Sequence, residues 1–165
     1  MNLHRIILKD PINLLKTPTF KAPQALMPKL EEWIDKQLRE GILQRNLVRE
    51  EASMFLEAKR DGRIRPVVDL RFRNHNTVAD HSQIPNQLII LPVVANSKYR
   101  SKIDLSNAYF LTRVPPNDVK YNTMNTPFGG FTSLVMMQGD MNAPATFGRV
   151  MENIFHDELS KFIWI

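Results

Sequence analysis

The chain has 165 residues, 43% of them hydrophobic, enough for one domain with a sizeable core and too few to assume two. Its 22 Lys and Arg against 17 Asp and Glu leave a net charge of +5, a basic balance that suits a nucleic-acid partner without proving one. The absence of cysteine excludes disulfides, thiolate zinc sites and a cysteine nucleophile, and the 4 histidines are too scattered to supply a metal cluster instead. The N-terminus has no apolar run with a small-residue cleavage site, and no window approaches the roughly 18 apolar residues of a membrane span. The sequence therefore reads as soluble and unexported, in a reducing intracellular compartment such as cytoplasm or nucleus, with no membrane partner.

Residues 1–28 carry Pro11, Pro18, Pro23 and Pro28, which turn their predecessors away from helix and predict an extended arm lying over the body. From Lys29 onward Leu30, Trp33, Ile34 and Leu38 recur at helical spacing, and Gly41 is placed to end an amphipathic helix. Residues 53–59 and 63–70 flank Asp61 and Gly62, a dipeptide favoured in two-residue hairpin turns because both positions accept positive φ. Residues 99–105 read as a buried strand that reaches Asp104, and 121–124 with 131–137 as a second hairpin around Pro127, Gly129 and Gly130. A last helix is expected from about 143 to 159. The closing run Lys161, Phe162, Ile163, Trp164 and Ile165 is apolar and β-prone, and reads as a core strand cut off in mid-course.

Three stretches carry more chemistry than core packing asks for. The first hairpin concentrates Lys59, Arg60, Arg63, Arg65, Arg71 and Arg73 against Asp61 and Asp69, so phosphates are its obvious target and a solvated hairpin its plain alternative. Arg63 and Arg65 alternate with Ile64 and share one strand face, where guanidinium forks grip phosphate in bidentate fashion. In SKIDLSNAYF, Asp104 follows a basic and apolar lead-in and precedes Tyr109. It suits a magnesium ligand, since that ion takes hard oxygens from one or two carboxylates plus substrate phosphates, but a cap on a short helix starting at 106–108 is the commoner role for such an aspartate and on spacing alone the favoured one. In MMQGDMNAPATF, Gln138 and Gly139 open a loop, Asn142 is placed to cap a helix and Pro144 sits in its first turn. The plain reading there is a polar strand-to-helix connection, with Met136, Met137 and Met141 as core filler.

Together RPVVDLRFRN, SKIDLSNAYF and TPFGGFTSLVMMQGDMNAPATFGRVM, in this order and spacing, resemble the reverse transcriptase domain of gypsy-type LTR retrotransposons, with the nearest resemblance to fungal elements, over about residues 18–165. The resemblance implies an α+β chain, the fingers and partial palm of an incomplete right-hand polymerase fold, with the arm over 1–28 and the reverse transcriptase portion over 29–165. It implies that Lys59 and Arg65 contact the triphosphate of an incoming nucleotide and that Arg71 braces the template, with Arg60, Arg63 and Arg73 extending the nucleic-acid surface. Asp104 matches the first metal-binding aspartate, with the Leu105 carbonyl beside it, and Tyr109 the aromatic that discriminates against a ribose 2′-hydroxyl. Gln138 and Gly139 match the loop that lies against nucleotide and template base. Mg²⁺ is the implied cofactor, an RNA or DNA primer–template the implied partner, and in-line attack of a primer 3′-hydroxyl on an α-phosphate the implied reaction.

The family's next element, a strand leading into Tyr-x-Asp-Asp, is not reached, and no Asp-Asp pair occurs anywhere in the sequence. The metal site is therefore incomplete, and these residues alone are expected to lack appreciable polymerase activity. Smaller departures are Glu57 before the fingertip, Met141 in place of the Cys usual in the fungal loop, Gly148 in place of Gln, and a 119–124 stretch without the Lys-Thr-Ala-Phe pattern. The reading is a truncated or domesticated retrotransposon reverse transcriptase that still binds nucleic acid. Its alternative is a co-opted protein-interaction or self-assembling module. An unrelated basic RNA-binding domain would need aromatic platforms, and only Phe72 lies within the basic cluster. A palm lacking its next hairpin exposes a hydrophobic edge, so a homo-oligomer or a partner protein that covers it is expected.

Overall fold

Where α1 lays its apolar stripe decides where the sheet's core lies. The computed structural model describes residues 3–10, 23–46, 52–58, 62–82 and 86–164. Helix α1 (Met27–Arg39) admits Pro28 in its first turn, where the missing N–H has no helical partner to lose, so it begins ahead of the expected Lys29. It gives way at Gly41, which takes φ +63°. Leu30 and Ile34 are buried, and with Trp33 and Leu38 they pack on Leu43, Met54, Leu70, Met124, Phe131 and Met137.

The strands are β1 (Leu43–Asn46), β2 (Ala52–Ala58), β3 (Ile64–Val68), β4 (Thr123–Thr126) and β5 (Gly129–Ser133). They form one five-stranded sheet in the order β1-β5-β4-β2-β3. Two antiparallel hairpins supply most of it: β2 with β3, where Glu57 faces Arg65, and β4 with β5, where Thr126 faces Gly129. The hairpins meet through a short parallel register, Ala52 against Met124 and Ser53 against Asn125. Helix α2 (Arg71–Asn76) follows β3, α3 (Gln87–Ala95) is apolar on all sides, and α4 (Ala143–Ile154) follows the 138–142 loop.

Residues 3–10 run extended over this body. His4 N donates to Arg113 O at 2.9 Å, Val78 N to Ile7 O at 2.8 Å and Lys9 N to Asn76 O at 2.7 Å. The side chains of His4 and Ile6 are buried beneath the strap. Residues 11–22 lie outside the described residues, as do Lys59, Arg60 and the turn residue Asp61.

Several expectations need correction. Residues 99–105 are not a buried strand: Tyr99 is 83% and Ile103 84% exposed, because no strand among the described residues offers this segment a ladder. The second hairpin is shorter than 121–124 with 131–137, since Val119–Tyr121 is a 3₁₀ turn and Val135 only bridges Arg113. Helix α4 stops at Ile154, short of 159. Beyond it Ser160 takes φ +61° and the chain turns back on itself, with Leu159 bridging Ile163 in place of the expected terminal strand. Neither α2 nor α3 is foreshadowed by periodicity: α2 is one short run, and α3 has no polar face to mark a period. No helix among the described residues is long and apolar enough to cross a membrane.

Phe131 and Leu30 are fully buried at the contact of sheet and α1. Phe131→Ala should cost about 3–5 kcal/mol in urea unfolding, and a loss under about 1 kcal/mol would contradict this placement of the core.

Candidate functional site

The site grows from the turn between β3 and α2. Asp69 leaves β3 with its N–H donating to Ser53 O at 2.8 Å, and its carboxylate receives both arms of Arg71, Nε at 2.9 Å and Nη2 at 2.7 Å. That hydrogen bond holds the Asp69 carboxyl below its ordinary range, against a smaller opposing effect of burial. The Arg71 side chain is 90% exposed, so the fork fixes its direction while leaving it open to solvent. Arg65, on β3, lies 3.9 Å from Glu57 across the ladder, a loose surface pair, and Arg63 is exposed just before the strand.

Arg73 departs from the expected surface role. On a helix with 3.6 residues per turn, two positions rotate a side chain by about 200°, so Arg73 points inward where Arg71 points out. It is 8% exposed. Its Nη2 donates to Asp140 Oδ2, and its Nη1 donates to Asn122 Oδ1 at 2.6 Å and Tyr121 O at 3.3 Å. Buried in this way, its guanidinium clamps the interior and is not part of the exposed basic surface.

Asp140 is the acceptor at the centre of that interior. Its Oδ1 accepts the Asn142 N–H at 2.9 Å, and His4 Nε2 lies 3.0 Å from Oδ2, off the hydrogen-bond line but within ion-pair reach. The other ring nitrogen, His4 Nδ1, is 3.1 Å from Thr146 Oγ1 on α4. Burial pushes the Asp140 carboxyl up most strongly, but His4, the Arg73 charge and the Asn142 N–H together outweigh it and leave the group below its ordinary range. Burial acts on Arg73 in the opposite sense, lowering it, while Asp140 raises it.

Over this pair lies the loop. Gln138 and Gly139 are exposed, and Gly139 takes φ +95°, a conformation that favours glycine. Asn74 of α2 holds it from below: Nδ2 donates to Gly139 O at 2.9 Å, and Oδ1 accepts from Met141 N at 3.1 Å. Asn142 does not cap α4 with its side chain; instead Oδ1 accepts from Asp80 N at 3.0 Å and Nδ2 donates to Val78 O at 2.8 Å. Asp80 is held down to about 2, first by its Ser82 hydrogen bond, then against burial by the Ser82 N–H and Arg149 of α4. Met136 and Met137 are core residues as expected, whereas Met141 is exposed and fills no core.

The first acidic block is arranged differently. Asp104 and Leu105 sit in an open, exposed segment. The short 3₁₀ turn Ala108–Leu111 begins after Asn107 at φ +53° without a side-chain cap, so Asp104 does not cap it. Tyr109 is half-buried, its ring edge-on to Phe147 of α4 with centroids 5.7 Å apart. The fold thus joins Tyr109 to the second block and Arg71 to Gln138 and Gly139 through α2. Among the described residues no three His, Asp or Glu side chains converge to hold a cation. Asp104 alone does not fit the pair of ions that the implied reaction needs, since one carboxylate cannot fix two cations against phosphate repulsion.

His4, Asn74, Asn122 and Asp140 are the residues that sequence reasoning passed over. Asn74 and Asp140 stand inside RPVVDLRFRN and MQGDMNAPATF, so their positions were in view; nothing in the arm's spacing marks His4.

The sequence model of the family described as reverse transcriptase (RNA-dependent DNA polymerase) matches residues 58–163. The chain is 25% identical over 162 residues to the retrovirus-related Pol polyprotein from transposon opus of Drosophila melanogaster, covering 95% of this chain and 16% of that protein. It is 28% identical over 128 residues to the transposon Tf2-3 polyprotein of Schizosaccharomyces pombe, covering 78% of this chain and 10% of that one. The chain therefore spans a small part of these relatives. Its fold is similar to the foamy viral protease-reverse transcriptase in complex with RNA/DNA hybrid, with a TM-score of 0.80 at 20% identity over 97% of this chain and 22% of that one. The native prototype foamy virus protease-reverse transcriptase gives a TM-score of 0.80 over 90% of this chain and 20% of that one.

Because Asp140 is lowered in the folded state, its contribution is complete above the ordinary carboxylate value of 3.8 and fades as pH falls below it. Asp140→Asn should therefore cost about 3–5 kcal/mol near neutral pH, by leaving Arg73 buried without its counter-charge. Urea unfolding at about pH 7 and about pH 3 should show the gap to the unsubstituted chain narrowing in acid; a gap independent of pH would contradict the pairing.

Proposed function

We propose that this chain, which belongs to the reverse transcriptase (RNA-dependent DNA polymerase) family, presents the fingers and the first part of the palm as a surface for nucleic acid and nucleotide phosphate. The observation that carries this reading is the tie between α2 and the Gln138–Gly139 loop. Asn74 hydrogen-bonds the loop backbone three residues after Arg71, so α2, which follows the β2–β3 hairpin and carries that arginine, is fixed to the loop. Arg65 and Lys59 would take the triphosphate, Arg63 and Arg60 the adjoining phosphates, and Arg71, fixed by Asp69, the template strand. Tyr109, braced edge-on by Phe147, would size the sugar, and Gln138 and Gly139 would lie against nucleotide and template base. The finer placement, among gypsy-type elements of fungi and in a cytoplasmic or nuclear setting, rests on the MQGDMNAPATF string and the cysteine-free composition.

Asp104 with the Leu105 carbonyl would be the first part of a metal site whose remaining carboxylates are not among these residues. Magnesium ions, when fixed there, supply charge stabilisation at the attacking and leaving oxygens. These residues by themselves would bind and orient without catalysing. A second reading has its own observation: Leu88, Ile89, Leu91, Tyr99, Ile103 and Phe162 are large apolar side chains left exposed. Exposed apolar side chains of this size support association with further protein or a second copy of the chain.

Binding to a labelled primer–template across a salt series tests the proposal. Affinity should fall steeply as salt rises, and the Arg63→Ala, Arg65→Ala, Arg71→Ala variant should lose about tenfold or more, with a shallower salt slope. Folded protein that binds nothing, or a variant that binds equally well, would overturn it. Primer extension with magnesium should yield no product.

A further inference from the structure

The loop proposed to meet nucleotide and template has a mechanical problem. Gln138 and Gly139 are exposed, and Gly139 holds a left-handed backbone that glycine leaves as easily as it enters. A loop free to leave that conformation would have to be ordered again each time a ligand bound, and that ordering would weaken binding.

The fold supplies two restraints beneath it, both from α2. Arg73, itself held by Asn122, draws the Asp140 side chain down into the interior, where His4 of the strap lies against it. Asn74, the next residue, takes the loop backbone on either side of Asp140 with one amide group: it donates to Gly139 O at 2.9 Å and accepts from Met141 N at 3.1 Å. A side chain that satisfies both a carbonyl and an N–H two residues apart fixes the peptide planes between them, beneath the exposed residues Gln138 and Gly139. Few side chains serve here. Asp has no donor for Gly139 O and would add negative charge beneath a phosphate surface, Leu has neither group, and Gln carries its amide one methylene too far. The same short helix starts at Arg71, whose outward direction Asp69 fixes. One element therefore sets both the arginine that faces the template and the loop that faces the base.

We infer that Asn74 is a positioning residue: it holds the Gln138–Gly139 loop in its binding conformation and in register with Arg71, without itself touching ligand. The inference rests on the functional reading above for what the loop binds, but the loop's conformation can be read without any ligand.

The test uses the full chain labelled with ¹⁵N, the Asn74→Ala and Asn74→Asp variants, and two readouts. Amide exchange of Met141 should quicken about fivefold or more in Asn74→Ala, with the Gly139 and Gln138 amide resonances shifted. Exchange at Leu134, whose N–H is held by Ile42 O on the sheet's far side, should be unchanged. Asn74→Asp retains the acceptor, so Met141 should stay slow while Gly139 shifts. Primer–template affinity should fall about three- to tenfold in Asn74→Ala. Unchanged Met141 exchange in Asn74→Ala, equal quickening in both variants, or quickening at Leu134 to the same degree would each overturn the proposal, the last by making Asn74 merely structural. Failure of the unsubstituted chain to bind primer–template would remove the functional reading instead, and the amide pattern would still decide whether Asn74 sets the loop.

Discussion

The buried ion pair between Arg73 and Asp140 joins parts of the chain that the sheet connects only weakly. The parallel junction of β2 with β4 covers two residue pairs, Ala52 with Met124 and Ser53 with Asn125, so the two hairpins need a second tie. Arg73 supplies it from the end of the first hairpin. It reaches Asp140 beyond the second, Asn122 just ahead of β4 and the Tyr121 carbonyl in the turn before it. His4 closes the remaining side from the N-terminal strap and touches Thr146 of α4. Taking two charges out of water costs several kcal/mol per ion, so such a pair stabilises only when further hydrogen bonds satisfy it. Those bonds come to Arg73 from the 121–122 turn and to Asp140 from the Asn142 N–H, with His4 of the strap beside them, which makes the pair a test of correct assembly as much as a source of energy.

The inward turn of Arg73 also organises the outer surface. With that charge consumed below, the outward arginines of this cluster among the described residues are Arg63 just before β3, Arg65 on β3 and Arg71 locked onto Asp69. Asn74 lies between the buried clamp and the open loop, so α2, only six residues long, faces the interior with Arg73 and the solvent with Arg71. A cation read from sequence as one of a cluster thus divides by helix phase into two roles.

The parts legible in the sequence were those set by near neighbours. Asp61–Gly62 between two apolar runs marks a hairpin, the spacing of Leu30, Ile34 and Leu38 marks α1, and the Gln138–Gly139 loop follows from glycine and proline placement. What stayed hidden depends on partners distant in sequence. Whether residues 99–105 form a strand depends on a neighbouring strand, and no local pattern supplies one. Asn142 looks like a helix cap until the 78–80 segment arrives to take its amide. His4 has no signal at all, since its two ring nitrogens find Asp140 and Thr146 only after the strap has crossed the body. Charge runs mislead for the same reason: composition counts Arg71 and Arg73 alike, and only the helix phase between them separates surface from interior.

A double-mutant cycle between Arg73 and Asp140, with each changed to Leu singly and together and stability measured by urea unfolding, bears most directly on the claim that this pair holds the assembly. A coupling of at least about 2 kcal/mol is expected, the double variant being far more stable than the sum of the single losses implies. Additivity within about 0.5 kcal/mol would contradict it, because the two side chains would then be acting independently of each other.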